Sequence, residues 1–393
     1  MRPYFLVLSL GLLTAIQAAS AQGLLSLQHS ADFKEKTPLT FSIGAGGGYD
    51  SLNYKSSDIN DVKSYFLQGS VGASYSDNDK ITPWNLGLDL GVLQYLDHTP
   101  GQKDTNYSDR LVFNISHQFS PRLSVTDNFY ITYEAEPNFA VGASTANRNG
   151  QYFYGYNNFA VAYAWSERFS TTSSYTVDAI KYQDSAIGDF EDRVSHLFSQ
   201  AFSWAASHTT KYVGEYRFRT TQYQRSSSDY MSHYLLAGID KAWSERTSGS
   251  FRAGAEFYAN DRIEKTAPYF EASLNYAVSK KTTATVYSSV GFDGSELGNS
   301  DSRYSYRLGA NATHRLTERL SLNADANYVY STLSSAGSSD FTEHEISASA
   351  GIGYRVWDNV SVNANYSYSV LSSDDAQRDY DRNRISLGLN ATF

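Results

Sequence analysis

The sequence predicts an all-β fold, a transmembrane up-and-down antiparallel β-barrel, and three observations predict it. The first is the segment Arg384 to Phe393, in which Ile385, Leu387, Leu389, Ala391 and Phe393 alternate with Ser386, Gly388, Asn390 and Thr392. Successive side chains of a strand point to opposite faces, so one face of this segment suits lipid and the other water. The second is composition: 32 Tyr and 21 Phe in 393 residues, with only 41% hydrophobic residues and a mean hydropathy of -0.45. A wall with an aqueous lumen on one side and aromatic girdles at both interfaces has this balance. The third is a short polar turn that recurs about every 40 residues and divides the chain into hairpins.

Taken from the N-terminus, residues 1–21 come first. Arg2, the apolar run Tyr4 to Leu13 and the small residues Ala19-Ser20-Ala21 read as a secretory signal peptide cleaved after Ala21. That run is shorter than the roughly 20 residues of a membrane-spanning helix, and no later run reaches that length. Residues 22–37 have no strong pattern and are expected to form a periplasmic tail or to tuck into the lumen. Residues 38–393 are the barrel. Its first strand, around Phe41 to Tyr49, is the least regular, because Gly44, Gly46, Gly47 and Gly48 blur the alternation.

The turns follow in order: Asp77 to Thr82, Phe119-Ser120-Pro121-Arg122-Leu123-Ser124, Trp165-Ser166-Glu167-Arg168-Phe169-Ser170, Trp204 to His208, Trp243-Ser244-Glu245-Arg246-Thr247-Ser248, Val278 to Thr282, Leu316-Thr317-Glu318-Arg319-Leu320-Ser321 and Trp357-Asp358-Asn359-Val360-Ser361. Between them lie pairs of long alternating segments, such as Leu320 to Leu333 and Glu343 to Val356, joined by loops rich in Gly, Ser and Asp. Leu320, Leu322, Ala324, Ala326, Tyr328 and Tyr330 mark one outward face, with Ser321, Asn323, Asp325 and Asn327 facing in. The count is about 18 strands, with 16 as the smaller alternative, and both termini fall on the periplasmic side, where such barrels keep their short turns. Soluble propellers repeat at a similar length, but a blade divides it among four short strands, whereas each repeat here holds two segments long enough for a tilted crossing.

With its signal peptide, its Trp-Ser-Glu-Arg-type turns and its terminal Asn390-Ala391-Thr392-Phe393, the chain resembles the outer-membrane β-barrel porin families of Gram-negative bacteria over nearly all of the mature length. The resemblance implies the bacterial cell outer membrane as location, with lipid and lipopolysaccharide as surroundings. A final strand ending in Phe393 is similar to the signal read by the barrel-assembly machinery. The resemblance also implies transport without naming the cargo: some similar barrels are general diffusion pores, and others work with periplasmic export components in exopolysaccharide secretion.

Function must then be read from the lumen. The alternation points Lys211, Glu215, Arg217 and Arg219 inward from one strand, Arg252 and Glu256 from a second, Glu271 from the next, Arg303, Arg307 and Arg315 from a later one, with Asp325 and Arg355 beyond. Charged rings in a water-filled lumen set solute preference. Two readings are open. Arg217, Arg219, Arg252, Arg303 and Arg307 form a ladder for anionic or hydroxyl-rich solutes, or they pair with Glu215, Glu256 and Glu271 and brace the wall. Tyr258, Tyr269 and Tyr287 also face inward and offer surfaces for sugar rings.

The loops carry Asp58 and Asp61; Asp184, Asp189, Glu191 and Asp192; Asp293, Glu296 and Asp301; and Asp374, Asp375, Asp379 and Asp381. They match no strict calcium loop and read as a solvated acidic rim rather than as a cation site. The loop Ala135 to Gly150 is long enough to fold inward as a constriction. The absence of Cys excludes a disulfide-stapled fold and a thiolate metal site. A net charge of -9 argues against a nucleic-acid partner. The histidines are scattered, with no metal or nucleophile spacing, so neither an enzyme nor a cofactor is expected. The expectation is a passive channel for hydrophilic solutes with a mixed-charge lumen. A polysaccharide exit barrel, or a non-conducting structural or adhesin-type barrel, is the alternative.

Overall fold

The computed structural model describes residues 38–55, 60–99, 103–135, 150–224, 229–293, 301–334, 340–375 and 378–393. The expected signal peptide, the segment 22–37, most of the loop Ala135 to Gly150, and Asp58 and Glu296 lie outside the described residues. The strands are β1 (Leu39–Tyr54), β2 (Val62–Asp77), β3 (Trp84–Tyr95), β4 (Thr105–Tyr107), β5 (Asp109–Ser120), β6 (Leu123–Ala135), β7 (Gln151–Ala164), β8 (Phe169–Tyr182), β9 (Arg193–Ser207), β10 (Thr210–Tyr223), β11 (Tyr230–Ser244), β12 (Thr247–Asn260), β13 (Glu264–Ser279), β14 (Thr282–Asp293), β15 (Ser302–Arg315), β16 (Leu320–Ser334), β17 (Phe341–Trp357), β18 (Val360–Ser373) and β19 (Tyr380–Thr392). One helix, α1 (Ser185–Glu191), stands in the loop between β8 and β9.

Both β4 and β5 pair with β3 and are parted only at Ser108, so they are two parts of one crossing. The sheet therefore makes an antiparallel barrel of 18 crossings, which sets aside the sixteen-strand alternative. It closes where β1 meets β19, in register from Ser42 opposite Thr392 to Tyr54 opposite Tyr380. Past that register Phe41 and Phe393 exchange a reciprocal pair of backbone bonds at 2.9 and 2.8 Å.

The recurrent turn motif has a simple physical basis. The hydroxyl after the apolar residue accepts backbone N–H groups that the tight turn leaves unpaired: Ser120 from Arg122 and Leu123, Ser166 from Arg168 and Phe169, Thr317 from Arg319 and Leu320. In the first turn the carboxylate of Asp79 does the same for Ile81 and Thr82. These turns gather at one end of the barrel, and the longer loops at the other.

Alternation sorts the side chains as the pleat requires. Phe41, Ile43, Leu67, Leu86, Phe159, Phe202, Leu308, Ile352 and Leu387 are exposed on the outer face, while Asp50, Ser64, Ser232, Glu256, Ser331 and Glu343 are buried on the inner one. Apolar groups exposed and charged groups buried is the inverse of a water-soluble domain, and it is what a lipid-facing wall demands. The glycine-rich first strand also has a reason. A Cβ on Gly48 would collide first with the backbone carbonyl of Ile385 on β19 and would lie 2.6 Å from Cζ of Phe66, so the missing side chain lets the closing strand and that ring come close.

Candidate lumenal site

Many of the inward-facing charges gather in clusters that run along the wall. The densest lies on β10 to β13. Nε of Arg217 donates to Glu215 at 2.7 Å, Nη2 donates to Glu215 at 3.1 Å and to Glu271 at 2.6 Å, and Nη1 donates to Glu271 at 3.0 Å and to the Tyr269 hydroxyl at 3.2 Å. Those bonds use all five donors of the guanidinium. Because β10 and β13 are not neighbours, the reach from Arg217 to Glu271 is possible only on the concave side of the sheet. Arg252 joins the cluster through Asp240 at 2.7 Å and Glu215 at 3.7 Å. It lies against Gly238, where a Cβ would stand 2.5 Å from its Cδ. Lys211 stands in register with Asp240.

Arg219, two residues along β10, is within electrostatic reach of Tyr234, Tyr230, Asp178 and Tyr269, and its Nε has no hydrogen-bond partner among the described residues. Among the described residues, Glu256 pairs with no arginine. It accepts the backbone N–H of Phe292 at 2.8 Å and is fully buried. Farther round, Arg307 pairs with Asp293 at 2.7 Å. Arg303 donates to Ser331 at 3.0 Å and lies 3.9 Å from Glu343, which also receives Arg378. Asp325 accepts the hydroxyl of Ser349. Arg355 lies near the turn end of β17, where its N–H donates to the carbonyl of Arg319. Of the inward tyrosines, Tyr258 donates to the Asp301 carbonyl, Tyr269 to Glu271 and Tyr287 to Asn327.

A further cluster, at the closing seam, has no counterpart in the sequence reading. Asp50 accepts Nε of Arg382 at 2.9 Å and the Tyr95 hydroxyl at 2.7 Å. Beside it the guanidinium of Arg384 lies 4.4 Å from the centre of the Phe66 ring. Among the described residues, elements make substantial contact only with their neighbours or next neighbours in the sheet, so the clusters follow the wall and no described element spans the lumen.

The acidic loops are only in part the solvated rim that the sequence suggests: Asp61, Asp184, Asp374 and Asp375 are exposed. Glu191, Asp192, Asp301 and Asp379 are buried. Asp61, Asp192, Asp229 and Asp379 each stand immediately before a strand and accept the N–H of the last residue of the preceding one: Tyr54 at 3.0 Å, then Tyr182, Tyr223 and Ser373 at 2.7 Å. They are clamps across loop bases. The Tyr54 amide, and next Lys63, hold the Asp61 carboxyl below its ordinary range.

A closed barrel with an apolar outer face, a charged inner face and tight turns gathered at one end defines a transmembrane barrel of the outer-membrane type. The chain belongs to the family described as "Putative beta-barrel porin 2", which matches residues 101–393, and the family and fold place it in the bacterial outer membrane. Among solved structures it is similar to OccAB4 of Acinetobacter baumannii (10% identity, 91% of this chain and 99% of that one, TM-score 0.48). It is likewise similar to OccK1 (OpdK) of Pseudomonas aeruginosa (9%, 90% and 99%, TM-score 0.48) and to a BenF-like porin of Pseudomonas fluorescens Pf-5 (11%, 92% and 100%, TM-score 0.48). No curated protein matches the chain.

Proposed function

We propose that this porin-like barrel lets small hydrophilic solutes diffuse passively, with selectivity set by a wall of paired charges and the turn end facing the periplasm. The observation that carries the reading is the Arg217 to Glu271 bridge across non-adjacent strands. Charge on the inner face is arranged along the wall and fixed in place, so a solute meets alternating donors and acceptors rather than a free cationic ladder. Fixed dipoles of both signs favour neutral polar or zwitterionic solutes over strongly charged ones. The arginines thus brace the wall and at the same time present its polarity.

Conductance of the refolded protein in a planar bilayer tests this, with the reversal potential in a salt gradient compared between wild type and Arg307→Gln. The Arg307 and Asp293 side chains keep 24% and 29% of their surface accessible. Stepwise conductance, with a shift toward cation preference in the variant, is the expected result. A folded barrel that never conducts would overturn the reading and leave an export conduit or a sealed structural barrel.

A further inference from the structure

A small polar patch interrupts the apolar outer face on β6 to β9. On β6 and β7 the outward Asp127 carboxylate accepts Nδ2 of Asn157 at 2.7 Å. On β8 and β9 the outward Ser173 stands opposite Gln200 and donates to its side-chain carbonyl. Exposed Phe159, Tyr175, Phe198 and Phe202 surround these groups.

Depth makes the patch unusual. Asp127 is four residues from Leu123 at the turn end of β6, Ser173 four from Phe169 and Gln200 four from Trp204. At about 3.3 Å per residue and a tilt near 40°, each lies roughly 10 Å along the barrel axis from the residue named, within the span of the outward apolar band. Of the other outward carboxylates of the described strands, Asp77, Glu264 and Asp381 stand at a strand end or one residue in, while Asp109 lies four residues into the β4–β5 crossing from its loop end and accepts the backbone N–H of Gly91 at 3.3 Å. Lipid tails offer no hydrogen bonds to such groups, whereas a protein surface does.

We propose that the β6–β9 face is the contact between two copies of this chain. The patch is self-complementary, with a carboxylate at Asp127 and amide groups at Asn157 and Gln200. Nε2 of Gln200 reaches the backbone carbonyls of Thr172 and Ala201 only at a long 3.4 Å, so a carboxylate from a second copy is the stronger acceptor. The groups share one depth, so a two-fold axis along the membrane normal, passing between β7 and β8, sets Asp127 of each copy against the Ser173–Gln200 pair of the other. The aromatic surround gives the contact the anchors found at the centres of protein interfaces.

Cysteine crosslinking tests this cleanly, because the chain has no native Cys. Val161→Cys lies on β7 beside the axis, and Ile352→Cys lies on β17, away from the patch. After oxidation in outer-membrane vesicles, Val161→Cys should give a disulfide-linked species of twice the chain mass, and Ile352→Cys at least tenfold less. Adding Asp127→Leu and Gln200→Leu to Val161→Cys should cut the yield at least tenfold while the barrel keeps its heat-shifted gel mobility. Equal yields at the two positions, absence of the dimer, or a product whose mass is not that of two chains would each overturn the proposal. So would a folded double-leucine variant that crosslinks like its parent. If that variant does not fold, the comparison of Val161→Cys with Ile352→Cys decides alone.

Discussion

Replacing Arg217 by Met keeps most of the side-chain length and removes all five hydrogen bonds that the guanidinium makes to Glu215, Glu271 and Tyr269. The two carboxylates are then left with like charge, side by side. Their side chains keep only 9% and 23% of their surface accessible, so water compensates little. Breaking a buried pair in this way costs about 3–5 kcal/mol, because the remaining charge is desolvated without a partner. Arg252, 3.7 Å from Glu215, offsets part of that cost, which sets the expectation at about 3 kcal/mol, near the lower limit of the range. The triple variant Arg217→Met, Glu215→Gln, Glu271→Gln removes the stranded charges and should recover at least half of the loss. Urea unfolding of the barrel from lipid vesicles, followed by tryptophan fluorescence, measures both. A single variant within about 0.5 kcal/mol of wild type, or a triple variant no better than the single, would refute the assignment of Arg217 as the electrostatic centre of this wall.

Further outcomes follow from the rest of the molecule. Gly48→Leu should clash with the Ile385 backbone carbonyl and with Phe66 at the seam and lower the yield of heat-shifted, folded barrel on gels, at a cost of about 3 kcal/mol from overpacking. Ser166→Ala removes the acceptor for two turn amides and should cost about 1 kcal/mol in vesicle unfolding. The Asp61 carboxyl is depressed in the folded state, so its clamp on the Tyr54 amide is fully formed above the ordinary carboxylate range. The clamp weakens as pH falls through the lower, folded value, and hydrogen exchange at Tyr54, corrected for the intrinsic pH dependence of exchange, should accelerate only below about pH 4. Acceleration that begins at neutral pH would point to a different group.

The barrel was legible in the sequence because its signals are local. A turn hydroxyl serves amides two and three residues on, and the alternation of Ile385 to Phe393 needs no knowledge of the partner strand. The clusters were harder to read, because an ion pair depends on register between strands and on reach over the strands that lie between them. Arg217 was visible as inward, but its bond to Glu271 passes over β11 and β12. Asp293 looked like a loop residue and proves to be the last of β14, paired with Arg307. Asp50 was hidden by the glycines before it, although the parity of Arg382 and Arg384 against the outward Ile385 already pointed those two arginines inward. The loop clamps had a signal that composition alone obscured: Asp61, Asp192, Asp229 and Asp379 each directly precede a strand, a position that Asp104, Asp301 and Asp340 share without being among those four clamps.

The seam bears on the order in which the molecule is put together. Every other ladder joins consecutive crossings, so it can form hairpin by hairpin with little loop to close. The pairing of β1 with β19 brings together Asp50 and Arg382, 332 positions apart, and has no local precursor. It is the single long-range event of folding, and until it occurs two edge strands present unpaired backbone groups. The buried bridge of Asp50 to Arg382 and the ring of Phe66 beneath Arg384 therefore act as a latch. They contribute nothing to the open sheet and become complete only when the cylinder shuts, which makes closure cooperative and reopening slow.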